Sequence, residues 1–132
     1  MAALDDLEEI AGAVIDCGYH LHRELGPGLL ESAYEILMAA AIADAGYRVS
    51  RQVPVSMTFR NIRVADAFKV DLLIEDRLVV ELNSIERLAP VHGRQVLTYL
   101  RLMKLPLGLL MNFGQPTYKE GLRRIANNYF RP

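Results

Sequence analysis

Two short apolar runs separated by only three polar residues constrain this chain more than any other feature. The runs are Phe68–Ile74 and Leu78–Leu82, and Glu75-Asp76-Arg77 lies between them. Three residues is the length of a tight hairpin loop, so the runs predict two neighbouring antiparallel strands. The fold must therefore be built around a sheet that contains this hairpin.

The hydrophobic pattern on either side of the hairpin changes between the helical period and the strand period. Apolar residues recur every three or four positions near both ends of the chain, and they alternate with polar residues just before the hairpin. The predicted elements are helices over 5–25 and 30–45, strands over 53–59, 68–74 and 78–82, a helix over 91–103, a strand over 107–111 and a helix over 120–129. This order, ααβββαβα, predicts an α/β domain with a mixed central sheet. The sequence contains no repeat and no linker, so we expect one domain over residues 1–132.

Composition excludes several classes of protein. A single cysteine among 132 residues cannot form an internal disulfide, a Cys-rich zinc site or an iron–sulfur cluster. No segment approaches the roughly 18 apolar residues of a membrane span, so we expect no membrane association and a cytoplasmic location. The net charge of −1 argues against non-specific coating of nucleic acid. The first ten residues hold four of the 16 acids, and a local basic surface remains compatible with the rest.

One carboxylate interrupts each of the two apolar runs. If the hairpin turns symmetrically about Asp76, Asp71 lies directly opposite Glu81. Like charges in that position are destabilising, so the pair makes sense mainly with a cation between the side chains, and hard oxygen ligands suit Mg²⁺ or Mn²⁺. Two alternatives stay open: a register shift of one residue would separate the carboxylates onto opposite faces, and Arg pairing or solvation would make both structural.

Three motifs resemble a known family of nucleases. Asp71 followed by Glu81-Leu82-Asn83 is similar to the site of the PD-(D/E)XK nuclease superfamily, which pairs an Asp on one strand with acid-x-Lys on the next. The segment Gln95-Val96-Leu97-Thr98-Tyr99 resembles the Gln-x-x-x-Tyr signature of the RecB-like branch. The segment Gly28-Leu29-Leu30-Glu31-Ser32-Ala33-Tyr34 resembles the motif that names the GxxExxY proteins, and Leu107–Gly114 looks like their closing strand.

The resemblance implies a restriction-endonuclease-like core and a divalent-metal-dependent nuclease activity on nucleic acid, with DNA favoured over RNA. It implies that Glu31, Asp71 and Glu81 are ligands of Mg²⁺ or Mn²⁺. It also implies that Gln95 and Tyr99 orient the substrate phosphate. A homodimer is a further assembly that the sequence leaves open.

The chain departs from the family pattern at Asn83, where the superfamily usually has Lys. Lys would position the attacking water and stabilise the charged phosphate, whereas Asn is neutral and offers only hydrogen bonds. Lys69 has the same strand parity as Asp71 and is a candidate substitute, with a solvated strand-end Lys as the alternative. Two interpretations follow: a slowed nuclease, or an inactive nuclease fold that binds nucleic acid or a protein partner.

Other polar side chains have structural interpretations beside functional ones. Tyr34 is either a buried phenol or a phosphate contact, and His92 is either a helix-start residue or a neighbour of the site. A basic C-terminal face is either solvated or follows a nucleic-acid backbone. Its predicted members are Lys119, Arg123, Arg124 and Arg131.

Overall fold

A computed structural model describes residues 3–131 as nine helices and strands. They are α1 (Ala3–Leu25), α2 (Glu31–Asp44), β1 (Val49–Phe59), β2 (Ile62–Ile74), β3 (Leu78–Asn83), α3 (Pro90–Met103), β4 (Leu107–Asn112), α4 (Tyr118–Gly121) and β5 (Leu122–Ala126). The predicted order ααβββαβα is confirmed, and a fifth strand follows it.

The five strands form one mixed sheet in the order β1-β2-β3-β4-β5. β3 and β4 run parallel, and every other neighbouring pair is antiparallel. Apolar side chains of α1 and α2 pack on one face of the sheet, and those of α3 pack on the other. Within the described residues, no helix combines the length and apolar character that crossing a bilayer requires.

The helix predicted over 120–129 is wrong beyond Gly121, where α4 ends. Leu122, Ile125 and Tyr129 are spaced three and four residues apart, which is why the sequence favours a helix there. Instead, 122–126 pair with β4, and Leu122 and Ile125 contribute to the cores on opposite faces of the sheet. The buried edge of β4 needs hydrogen-bond partners for its backbone, and this requirement overrides the local helical pattern.

The β1–β2 hairpin is longer than predicted, and both strands change faces in its middle. Val70 packs on the α3 side, whereas Leu72, two residues later, packs on the α1 and α2 side. β1 switches at the same level, where Gln52 has a left-handed φ of 49°. Because Arg51 pairs with Leu72 and position 53 pairs with position 70, Gln52 lies opposite Asp71. Asp71 therefore lies at the switch point between the two faces of the sheet.

Candidate functional site

Asp71 and Glu81 face each other across the β2–β3 ladder, as predicted. The observed pairs include Leu72 with Val80, and the same register brings Asp71 opposite Glu81. The Asp71 N–H donates to Oε2 of Glu81 at 3.1 Å, and the Leu82 N–H donates to Oδ2 of Asp71 at 2.9 Å. Each carboxylate is thus anchored by the backbone of the opposite strand.

The two carboxyl groups strongly affect each other's ionisation because one of them is buried. Glu81 is 8% exposed. Burial, followed by its hydrogen bond to the Asp71 side chain and the charge of that group, raises the pKa of Glu81 to about 9. At neutral pH Glu81 is therefore protonated, and the pair shares a hydrogen bond in place of like-charge repulsion.

The six residues expected to form the metal and substrate site all line one open pocket of about 200 Å³. Side chains of the α3 side of the sheet, Val96 and Leu110, also line the pocket, and Lys69 contributes to its wall. The six are Glu31, Asp71, Glu81, Asn83, Gln95 and Tyr99. The tertiary structure therefore brings together side chains from α2, β2, β3 and α3.

Tyr99 is held over the pocket by stacking on β2. Its ring lies 4.0 Å from the ring of Phe68, centroid to centroid, with the planes 2° apart. Burial, then the charges of Glu81 and Asp71, raise the pKa of the Tyr99 phenol, while a hydrogen bond with Gln95 lowers it. The phenol therefore stays protonated at neutral pH and can donate a hydrogen bond to an anion.

The segment before α2 explains why its motif needs Gly and Tyr. Gly28 has a φ of 122°, which a side chain rarely allows. Tyr34 is fully buried, and its O–H donates to the Gly26 carbonyl at 2.6 Å and accepts from the Leu29 N–H at 3.3 Å. Tyr34 is thus a buried structural phenol rather than a phosphate contact, and it fixes the loop from which Glu31 enters the pocket.

Glu31 lies at the exposed mouth of the pocket, on the first turn of α2. Its charge contributes to the raised pKa of Glu81. Among the side chains that the structure describes, those of residues 6–131, no three Asp, Glu, His or Cys residues form a cluster that could hold a metal ion. At this site the carboxyl groups of Asp71 and Glu81 are joined by a side-chain hydrogen bond.

Two polar residues next to the site were not singled out from the sequence. Gln52 donates a hydrogen bond from Nε2 to Oδ1 of Asp71 at 3.2 Å and a second one to Oε1 of Glu35. Glu35 is one turn after Glu31 on α2, and that spacing was the available signal. Nothing in the local pattern marks Gln52.

The remaining polar candidates lie away from the pocket or have structural partners. His92 accepts from the Ala89 N–H at 2.9 Å and so caps the start of α3. The predicted basic C-terminal face is divided, because Arg124 and Arg131 both form ion pairs with Glu8 of α1. Two of its four cations therefore help to hold the C-terminal segment onto α1.

Comparison with known proteins identifies the family of this chain. A model of the PD-(D/E)XK nuclease superfamily matches residues 8–125, which include every residue of the pocket. Neither a search of curated proteins nor a search of solved structures found a match. Nucleases of the matched superfamily generally use divalent metal ions. By this match over most of its length, the chain belongs to the PD-(D/E)XK nuclease superfamily.

Proposed function

We propose that this protein is a divalent-metal-dependent nuclease-like enzyme that acts on the phosphodiesters of nucleic acid, with DNA as the favoured substrate. The observation that carries the proposal is the Asp71–Glu81 pair in a pocket that also contains Gln95 and Tyr99. Two acids on adjacent strands, with hydrogen-bond donors on the facing helix, form an arrangement suited to a metal ion and a phosphate.

The donor set fits Mg²⁺ or Mn²⁺. Carboxylate oxygens are the hard ligands that these ions prefer, and a cation would neutralise the pair as the proton on Glu81 does at neutral pH. We assign Asp71 and Glu81 as the main ligands and Glu31 as a third. A bound ion would polarise the phosphodiester and lower the pKa of an attacking water.

The chain's own side chains would bind and orient the substrate. The neutral phenol of Tyr99 and the amide of Gln95 can both donate hydrogen bonds to phosphate oxygens without adding charge. The stacking of Tyr99 on Phe68 holds the phenol in place before substrate binds. Binding therefore costs little conformational entropy of this side chain.

Lys69 supplies the positive charge that Asn83 lacks. Both residues line the pocket, Asn83 at the end of β3 and Lys69 on β2. An ammonium at this position stabilises charge that develops on the phosphate, whereas an amide only contributes a hydrogen bond.

Within the superfamily we place the chain in the GxxExxY group of the RecB-like branch. The Gly28 turn and the buried Tyr34 support the first assignment, since both have a physical role in presenting Glu31. The position of Gln95 and Tyr99 on one face of α3, both lining the pocket, supports the second.

A second candidate function is favoured by Asn83. Without the usual Lys, the pocket can serve as a recognition site in an inactive nuclease fold that binds nucleic acid or a protein partner. Hydrolysis that depends on Asp71 excludes this alternative.

Metal binding tests the proposal without knowledge of the substrate. We would titrate Mn²⁺ and Mg²⁺ into the wild type, Asp71→Ala and Asp76→Ala by calorimetry. Asp76 is an exposed acid of the same hairpin, 3.7 Å from Arg48 and outside the pocket, so its variant is a matched control. We expect binding by the wild type and Asp76→Ala, and none by Asp71→Ala. Wild-type protein that binds neither ion would overturn the assignment.

Hydrolysis is then tested on single- and double-stranded DNA and RNA oligonucleotides with the same three proteins. Cleavage that disappears only in Asp71→Ala supports the enzyme. Metal binding together with nucleic-acid binding, but no cleavage of any substrate, supports the second candidate.

A further inference from the structure

We infer that Gln52 is a positioning residue for Asp71, and that Glu35 holds Gln52 in turn. The inference rests on the proposed function, because it assigns Gln52 and Glu35 roles in supporting that same site. Three observations carry it: the backbone of Gln52, the two hydrogen bonds of its amide, and the anchoring of Glu35.

The backbone of Gln52 is in a conformation that residues other than Gly rarely adopt. Its φ is 49°, although it lies within β1 rather than in a turn. Such conformations persist only where surrounding contacts maintain them, and they concentrate at functional sites. Gln52 is also the residue opposite Asp71, at the level where the hairpin changes faces. The unusual backbone therefore directs one side chain toward the site.

The amide of Gln52 is suited to bridge two carboxylates. Its Nε2 donates to Oδ1 of Asp71 at 3.2 Å and to Oε1 of Glu35. An amide nitrogen has two N–H donors and no charge. A Lys or Arg in this position would neutralise Asp71 and compete with a cation, whereas Gln orients the carboxylate and leaves its charge available.

Glu35 provides a fixed anchor for this amide. It is 7% exposed, its Oε2 accepts from Nε of Arg51 at 3.1 Å, and Nη2 of Arg51 forms an ion pair with the same oxygen at 3.0 Å. The ion pair with Arg51 compensates the charge of the buried Glu35 carboxylate. Glu35 can therefore accept the hydrogen bond from Gln52 without a metal ion beside it. Since Gln52 is itself exposed, this anchor keeps its amide on Asp71 against competition from water.

Asp71 is consequently held from both sides. Gln52 of β1 binds Oδ1, and the Leu82 N–H of β3 binds Oδ2 at 2.9 Å. Two hydrogen bonds on different oxygens fix the plane of a carboxylate, which directs its remaining lone pairs toward the pocket. Loss of the hydrogen bond from Gln52 would allow the Asp71 carboxylate to rotate and would lower its affinity for a metal ion.

The test compares Gln52→Gly with Arg60→Gly. Both residues have positive φ on the same hairpin, 49° and 55°, so each substitution places Gly where Gly is favoured, but Arg60 lies in the distal turn. We would measure Mn²⁺ affinity by calorimetry and the melting temperature of the metal-free protein. We expect Gln52→Gly to bind Mn²⁺ about tenfold more weakly with an unchanged or higher melting temperature, and Arg60→Gly to bind it normally.

A purely structural role for Gln52 would produce the reverse, a lower melting temperature with unchanged Mn²⁺ affinity, and would overturn the inference. Gln52→Asn is the second variant, since Asn tolerates a positive φ but is one methylene too short to span both carboxylates. We expect it to lose affinity as Gln52→Gly does. Equal affinity in wild type and both variants overturns the inference alone. Absence of Mn²⁺ binding by the wild type overturns the proposed function as well.

Discussion

The carboxyl groups of Asp71 and Glu81 each accept a hydrogen bond from the backbone of the opposite strand. The Asp71 N–H donates to the Glu81 carboxyl group, and the Leu82 N–H donates to the Asp71 carboxylate. These bonds lie next to Leu72 and Val80, the pair nearest to the site in the β2–β3 register. The two hydrogen bonds fix both carboxyl groups at the edge of the pocket and explain how two acids can be tolerated within apolar strands.

The first prediction concerns the pH dependence of stability in metal-free protein. The pKa of Glu81 is about 9 when folded, against an ordinary value of 4.5. Between pH 4.5 and about 9 the folded protein carries a proton on Glu81 that the unfolded chain has released. The stabilisation from this proton is therefore complete below pH 4.5 and is lost as the pH rises through about 9. We expect the free energy of unfolding to fall by up to about 1.4 kcal/mol per pH unit from this group.

Urea denaturation between about pH 5 and pH 9, with chelator present, measures this dependence. Glu81→Gln keeps the shape of the side chain but cannot ionise, so its profile should be flatter than that of the wild type. Parallel profiles for the two proteins would contradict the raised pKa.

The second prediction concerns Lys69. If its ammonium stabilises charge on the phosphate, Lys69→Ala should lower kcat by on the order of 10²-fold and leave Mn²⁺ affinity unchanged. Arg63→Ala is the control, because it removes an exposed cation from the same strand outside the pocket. Steady-state cleavage kinetics test this, and equal losses in both variants would show a general charge effect instead.

The third prediction is the converse change at Asn83. Asn83→Lys restores the charge that the superfamily usually has at this position, and we expect cleavage to become faster by up to about 10²-fold. The gain should be largest in the Lys69→Ala background, since the two cations would serve the same phosphate. No gain in either background would show that charge at this position does not limit the rate.

The fourth prediction separates the structural tyrosine from the site. Tyr34→Phe removes hydrogen bonds to the Gly26 carbonyl and the Leu29 N–H, so we expect a loss of about 1–2 kcal/mol in stability. Tyr34 does not line the pocket, and the main ligands Asp71 and Glu81 lie on the sheet, so Mn²⁺ affinity should remain within twofold. Tyr19→Phe, at a residue that is 43% exposed, should leave stability unchanged. A loss of metal affinity in Tyr34→Phe without a loss of stability would assign the phenol to the site.

The fifth prediction concerns the segment that follows β3. A Cβ at Gly114 would lie 2.1 Å from the Ile85 carbonyl oxygen, so Gly114→Ala must displace the backbone just beyond Asn83. We expect a loss of at least about 3 kcal/mol. Gly12→Ala has open space on α1 and should stabilise the protein by up to about 1 kcal/mol. Thermal denaturation distinguishes them, and a stable Gly114→Ala protein would contradict this close packing.

Local information determined the element order and the position of the carboxylate pair. The hairpin loop is only three residues long, so the symmetry about Asp76 brings Asp71 opposite Glu81 without reference to the rest of the chain. Gln95 and Tyr99 are likewise on one face of a helix because of their spacing alone. These relationships follow from short-range geometry, which a sequence carries directly.

Tertiary structure decided the features that depend on partners far away in the chain. Leu122–Ala126 is a strand rather than a helix because it pairs with the backbone groups at the edge of β4. The hydrophobic pattern of residues 122–126 does not indicate that this edge lies beside them. The role inferred for Gln52 depends on Glu35 from α2 and Asp71 from β2 meeting at one amide. The sequence by itself determined which acids could pair, and only the packing of α2 against the hairpin decided what orients them, because hydrogen bonds between distant segments require the assembled fold.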